Sequence, residues 1–342
     1  MEQVRAGVLL MGDLPARELA HLAKSIEDWG YDYLWLADER FFREVYSSLT
    51  LCALNTSRIS LGPCVTDPYS RHPALTAMAI ATLDEISEGR AVLGIGAGVS
   101  GFGELGIDRA RPAIAIRETV SLVKRMMAGE EVDFQGRVVQ FHGGHLNFAP
   151  PRPEVPVYVA SNAPGGLRVA GALADGAVIS SCASEELVDY AVRLISVGLA
   201  ESGRQLEDLD VTARLNCCIA TRSEDAREAV RMSTTQSLQV NLDFATGAGL
   251  EIPRALADSL RQLGYIHDKD RLAEVAGHLP DDIIDAMTLA GTVDQIAERV
   301  AKIAGNGINQ VIIRPVPSPE GGLEATLEAF ARQVLPRVRS HD

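Results

Sequence analysis

The 342-residue sequence predicts an α/β fold: a closed (β/α)8 barrel with an inserted β-hairpin and a helical insertion near residues 240–290. Three observations carry this. Eight short apolar runs alternate with segments of helical spacing, and nearly every run is followed by such a segment. Parallel neighbours need crossover connections, so this order favours a parallel sheet, and eight units favour closure over an open sheet. No Gly/Pro/Ser-rich linker and no internal repeat interrupts the chain. One domain over 1–342 is expected, because barrels of this kind reach that length as a unit.

In order along the chain, residues 5–11 (RAGVLLM) read as the first strand. Residues 15–29 place Leu19, Leu22, Ala23 and Ile26 on one helical face, and Gly30 ends that helix. Residues 31–37 (YDYLWLA) are a strand, 45–55 a helix, 59–65 a strand, 73–86 a helix, 91–95 a strand and 112–127 a helix. The pattern then changes. EEVDFQGRVVQFHGGHLNF (130–148) alternates with period two and breaks at Gln135-Gly136, which reads as a hairpin. Strands at 157–160, 177–180 and 211–220 follow, with helices at 165–174 and 187–202 between them. A helix starts at Ser223 as N-cap, with Glu224 and Asp225 in its first turn. Residues 240–290 mix short helical stretches with ATGAG and GHLPDD loops. A helix at 292–304 capped by Thr292, a strand at 310–314 and a helix at 323–338 complete the chain.

Composition excludes several classes. The chain is 46% hydrophobic and 23% charged, as in ordinary globular proteins. No apolar run is long enough for a membrane span, and MEQVRAG lacks a signal-peptide pattern, so a cytoplasmic protein is expected. A net charge of −14 without any dense Lys/Arg run argues against nucleic acid as a partner. Cys52, Cys64, Cys182, Cys217 and Cys218 form no C-x-x-C pair and read as reduced core thiols. His142 and His145 have no carboxylate or cysteine cluster beside them, so no metal site is expected.

In such a barrel the active site lies at the carboxyl ends of the strands. Strand two is followed by Asp38-Glu39-Arg40, strand three by Thr66 to His72, and strand four by Gly96-Ala97-Gly98-Val99-Ser100. SNAPGG (161–166) follows strand five, Ser181 and Cys182 strand six, and Arg314 the last strand. Asp38 and Glu39 are either part-buried acid/base groups or a solvated loop paired with Arg40. Arg71 and His72 either steady an anion or cap a helix. SNAPGG offers N–H groups before a helix: a phosphate site, or a plain capped turn. GIGAG lacks the spacing and context of a nicotinamide site, but its glycines allow a close ligand approach. No Ser-His-Asp, H-E-x-x-H or Walker pattern is present. So few proton carriers point to chemistry supplied by a cofactor.

DPYSRHPALTAMAIATLDEISEGRAVLGIGAG (67–98) and PVYVASNAPGGLRVAGALADGAVIS (156–180) resemble the two signatures of the bacterial luciferase-like monooxygenase superfamily. The resemblance spans nearly the whole chain and implies a TIM barrel that uses FMN or the deazaflavin coenzyme F420. GPCVTDPYSRHPALTAMAIATLDE is most similar to the F420-dependent methylenetetrahydromethanopterin reductases. By that resemblance a bulge with a non-prolyl cis peptide at Cys64-Val65 backs the ring. Asp38, Thr66, Gly96, Ala97 and Gly98 then lie near the ring, and Ser161, Asn162, Ala163, Gly165 and Gly166 near the phosphate. Asp38, Glu39 and His72 are the catalytic candidates, and a homodimer acting on a small-molecule substrate is implied. Two departures stand out: Asp38-Glu39 replaces Asp-His, and Gly7-Val8-Leu9 lacks the carboxylate of Gly-Ile-Glu. Both read against a pterin substrate.

The leading expectation is F420-dependent hydride transfer to or from a small organic substrate. The second is an FMN-dependent monooxygenase activating O₂, with His72, Glu39 or Ser100 as proton donor. The third is a flavin-binding protein without turnover.

Overall fold

The computed structural model describes residues 3–263 and 269–339. In chain order the elements begin with β1 (Arg5–Leu10), α1 (Ala16–Asp28), β2 (Tyr33–Leu36), α2 (Val45–Asn55), β3 (Ser60–Pro63), α3 (Pro73–Ile86), β4 (Leu93–Ile95) and α4 (Pro112–Met127). The hairpin β5 (Val132–Gln135) and β6 (Gln140–Gly144) follows. Next come β7 (Val157–Ala160), α5 (Pro164–Leu173), β8 (Gly176–Ser180), α6 (Glu185–Ser202), β9 (Asp210–Ile219) and α7 (Ser223–Gly247). Then come α8 (Arg254–Leu263), α9 (Lys269–Ala276), α10 (Asp281–Met287), β10 (Leu289–Gly291), α11 (Val293–Gly305) and β11 (Gln310–Pro315). The last elements are α12 (Gly322–Ala329), a π-helical turn over Phe330–Val334, and α13 (Leu335–Arg339).

The strand order is β3-β2-β1-β11-β9-β8-β7-β4. Bridges Leu61↔Ala91 and Thr66↔Ile95 join β3 to β4, so the order closes on itself as the predicted (β/α)8 barrel. The inserted hairpin is present, with Phe134 opposite Phe141. So is the helical insertion; its residues 264–268 lie outside the described ones.

Three local expectations need correction. β10 pairs with β9 as a ninth strand; three residues are too few to show a period. β3 ends at Pro63 rather than at residue 65, because the backbone turns out of the ladder at Cys64. Ser223 is the first helical residue of α7; Arg222 is the N-cap and makes no side-chain cap bond. By contrast Thr292 caps α11 as predicted, in a box with Gln295. All five cysteines are free and buried.

Two compact units are distinguished. One holds Leu9–Val178 and Leu194–Asp210; the other holds Met1–Val8, Ile179–Arg193 and Val211–Asp342. In the first, α1 buries Leu19, Leu22, Ala23 and Ile26, the face its spacing predicts. Trp35 of β2 packs edge-on against Tyr158 of β7, with ring centroids 5.4 Å apart. β2 and β7 are not sheet neighbours, so this contact runs through the barrel interior. In the second, Arg227 and Arg299 share Asp285, at 2.7 and 2.9 Å.

Buried carboxylates tie helices to loops. Glu27 of α1 accepts the backbone N–H groups of Ser57, Arg58 and Ile59 at 2.8, 2.7 and 3.0 Å. Burial pushes Glu27 up, but these donors outweigh it and hold it at about 2. Its folded pKa therefore lies below the unfolded value. The stabilisation is complete above that value and is lost as pH falls toward 2. Acid titration should remove about 3 kcal/mol through this group, and Glu27→Gln should flatten the loss in chemical unfolding measured across pH.

Candidate active site

The candidate residues of β2, β3, β4 and β7 all follow the carboxyl ends of their strands within the unit Leu9–Val178. After β3 the Cys64–Val65 peptide is cis, at the position the family resemblance implies. Thr66 then rejoins β4: its N–H donates to Gly94 O and its carbonyl accepts from Gly96 N, both at 3.0 Å. This bulge brings β3 hard against β4. A Cβ on Gly94 would lie 2.4 Å from Pro63 O, and one on Gly96 would lie 2.8 Å from Val65 Cγ2. The sequence reading gives GIGAG its glycines because a ligand comes close. In the structure, the atoms a side chain would strike at Gly94 and Gly96 belong to β3, the bulge after it and β7.

Asp38 leaves β2 beside this bulge. Thr66 Oγ1 donates to Asp38 Oδ2 at 2.8 Å. Burial raises the Asp38 pKa above its ordinary value; the Thr66 hydrogen bond and the nearby Arg71 charge offset only part of the rise. Such a carboxyl can hold a proton closer to neutral pH than an exposed one. Glu39 is half-buried, and its carbonyl accepts from Phe42 N–H.

Arg40 reaches across to the loop after β3. Its Nη1 pairs with Asp67 Oδ2 at 2.8 Å, with side-chain exposures of only 8% and 0%. Arg40 also donates to Ser100 O at 2.9 Å and to Asp38 O at 3.1 Å, and its guanidinium lies 4.4 Å from the Phe102 ring centre. One side chain thus ties the loops after β2, β3 and β4 together. Asp67 additionally accepts from Tyr69 N, Ser70 N and Ser70 Oγ at 2.8, 2.7 and 2.6 Å.

His72 spends both ring nitrogens on the backbone. Nδ1 accepts from Ala74 N–H at 3.1 Å, capping α3, and Nε2 lies 2.9 Å from Gln140 O of β6. With Nδ1 accepting, the ring's other nitrogen faces the Gln140 carbonyl. The imidazole thus caps a helix and tethers the hairpin. His72→Ala is expected to lower stability by about 1 kcal/mol, the size of a lost N-cap, with kcat unchanged. Thermal unfolding and steady-state rates on the same preparation check this.

The loop after β7 folds on itself. Ala163 N–H donates to Ser161 Oγ at 3.0 Å, and a Cβ on Gly166 would lie 2.2 Å from that oxygen. Asn162 is half-buried and Ala163 and Gly165 are exposed. Pro164, which has no N–H, opens α5, so Gly165 N–H is the first donor at that helix end.

Two buried polar atoms stand out here, and only one of them, on Ser100, belongs to a residue singled out from the sequence. Tyr46 Oη and Ser100 Oγ are buried without a hydrogen-bond partner among the described residues. The Tyr46 ring lies under the Arg71 guanidinium, 4.9 Å from its centre, and Arg71 pairs with Glu44 at 2.9 Å. Burial drives the Tyr46 phenol far above its usual range. No pattern in the helix 45–55 marks Tyr46 out.

The fold is a parallel (β/α)8 barrel, the architecture in which enzymes place their chemistry at the carboxyl ends of the strands. The luciferase-like monooxygenase model matches residues 3–310, and the chain belongs to that family. The 5,10-methylenetetrahydromethanopterin reductase of Archaeoglobus fulgidus is 31% identical over 340 residues, covering 98% of this chain and 100% of that one. The F420-dependent glucose-6-phosphate dehydrogenase of Nakamurella multipartita is 26% identical, covering 94% and 93%. Among solved structures, the coenzyme F420-dependent tetrahydromethanopterin reductase of Methanopyrus kandleri superposes with a TM-score of 0.85 at 28% identity, covering 98% and 99%.

Proposed function

We infer that the chain is a coenzyme F420-dependent oxidoreductase acting on a small organic substrate. The observation that carries this is the full-length similarity to reductases and dehydrogenases named for that coenzyme. The residues present fit a flat ring and a phosphate. Cys64, Val65 and Thr66 form the bulge, and Gly96, Ala97 and Gly98 lead β4 past it. The unpartnered Ser100 Oγ lies in the same loop and supplies a polar group. Ser161, Asn162, Ala163, Gly165 and Gly166 would hold the phosphate at the α5 N-terminus.

When bound, F420 supplies hydride transfer at C5 of its deazaflavin. The chain's own part is to orient the substrate, exclude water and move one proton. We assign that proton to Asp38, the carboxyl that burial raises and Thr66 orients. Glu39 is the neighbouring carboxylate and completes the loop turn. The test is anaerobic: reduced F420 offered imines, enones and pterins should be reoxidised by at least one of them. Oxidation only in the presence of O₂ would overturn the reading and favour FMN-type oxygen chemistry.

The same reading makes the protein cytoplasmic, with no nucleic-acid partner. No helix among the described residues is long and apolar enough to cross a membrane, and the net charge is −14. A homodimer through α2 and α3 is supported by Leu54, Leu75 and Met78, which expose 70%, 50% and 45% of their surface on these helices. Sedimentation should give twice the chain mass, and Leu75→Asp with Met78→Asp should give monomers. A monomeric wild type would remove the dimer from this reading.

A further inference from the structure

The first turn of α2 carries a hydroxyl that the fold does not use. Tyr46 Oη is buried and makes no hydrogen bond among the described residues. A buried hydroxyl in that state lowers stability, whereas a phenylalanine of the same shape would not. Such a group calls for a reason other than packing. The ring itself is held in place. The Arg71 guanidinium lies over it at 4.9 Å, and Arg71 Nη2 is committed to Glu44 Oε1 at 2.9 Å. Arg71 therefore fixes the phenol, and its charge is already met by Glu44.

The surroundings of the hydroxyl single out one group. Those that act on its proton are Asp38, Arg71, Glu44 and Thr66. Glu44 is engaged by Arg71 and accepts the Ser47 N–H at 2.7 Å. Thr66 gives its own hydroxyl hydrogen to Asp38 Oδ2 at 2.8 Å. Asp38 is left without a cation of its own. The charged groups that act on it are Arg71, which pairs with Glu44, and Arg40 and Asp67, which pair with each other. Burial and the Asp38 charge keep the phenol protonated at working pH, so its hydrogen is always there to donate. All of these residues belong to the unit Leu9–Val178.

We propose that Tyr46 is the positioning residue of Asp38: its hydroxyl turns onto the Asp38–Thr66 pair when the carboxyl gives up its proton. The proposal rests on the oxidoreductase reading above and adds the group that meets the charge Asp38 develops. In the reducing direction the substrate takes a hydride from the reduced cofactor and a proton from Asp38. The O–H bond of Asp38 breaks, and a part-buried carboxylate is left behind. A hydroxyl donating to that carboxylate favours the charged form, and so favours the transfer. In the oxidising direction Asp38 regains the proton and the Tyr46 bond is released. Tyr46 touches neither substrate nor cofactor; it acts through Asp38.

The test reads the Asp38 carboxyl itself. Carbon-13 titration of aspartate-labelled, cofactor-free protein follows that carboxyl, assigned by its loss in Asp38→Asn. In Tyr46→Phe its pKa should rise by about one unit, a tenfold loss of acidity. Replacing Tyr46 by 3-fluorotyrosine, a stronger donor of the same shape, should lower it. With F420 and substrate, Tyr46→Phe should reduce kcat by about three- to tenfold, with KM within about twofold. The falling limb of its pH–rate profile should move up with the Asp38 titration. Its melting temperature should equal or exceed that of the wild type, because a buried unpaired hydroxyl is gone. A lower melting temperature with an unmoved Asp38 titration is the result of a purely structural tyrosine and overturns the proposal. A raised KM with an unmoved pH limb also overturns it, because the hydroxyl then meets the substrate directly. Failure of the wild type to bind F420 defeats the oxidoreductase reading instead; the cofactor-free titration still reads the Tyr46–Asp38 pair.

Discussion

Asp38→Asn should lower kcat by about 10²–10⁴-fold, the usual contribution of a positioned proton carrier, while leaving F420 affinity nearly unchanged. The pH profile supplies the sharper readout. Burial raises Asp38, so its acid form persists to higher pH than that of an exposed aspartate. In the reducing direction the rate should fall as pH rises through that raised pKa, and Asp38→Asn should abolish this limb. Thr66→Val removes a hydroxyl that favours the charged form, so the limb should move to higher pH. With pH, stability should move the same way as activity. The folded pKa lies above the unfolded one, so whatever the protonated form contributes is lost as pH rises through it. Asp38→Asn should therefore be neutral or stabilising at pH 7. A wild-type kcat in this variant would remove Asp38 from the mechanism.

The largest stability effect is expected at Arg40. Arg40→Met leaves Asp67, fully buried, without its cation. Breaking one side of a buried pair in this way costs about 3–5 kcal/mol, because the remaining charge stays desolvated. The loops after β2, β3 and β4 lose their common tie at the same time, since Ser100 O and Asp38 O also depend on Arg40. Arg40→Met with Asp67→Leu should recover much of the loss, because no charge is then stranded. Urea unfolding of the two single variants and the double variant measures the coupling. A loss below about 1 kcal/mol for Arg40→Met would place the pair among ordinary surface bridges.

The barrel was legible because alternating strand and helix periods persist through the chain, and the hairpin because its period differs from its surroundings. β10 was not legible, since three residues carry no period. The site was legible at the level of loops, because parallel strands deliver their carboxyl ends to one end of a barrel. Individual partners were not. Arg40 sits beside two carboxylates in sequence yet pairs with one 27 positions away, and only the fold brings that residue near. His72 looked like a proton carrier by residue type, but its bonds to Ala74 N–H and Gln140 O depend on the hairpin's placement. At Gly94 and Gly96 of GIGAG the atoms that come close belong to β3, the bulge after it and β7, which no spacing in the sequence reveals.

The measurement that bears most directly on the central claim is cofactor choice. Trp29 and Trp35 provide intrinsic fluorescence for titrating the purified protein with F420, reduced F420, FMN and reduced FMN, with native mass spectrometry for stoichiometry. F420 should bind in one or both redox states at one per chain, and FMN in neither. Tight FMN binding without F420 binding would contradict the account.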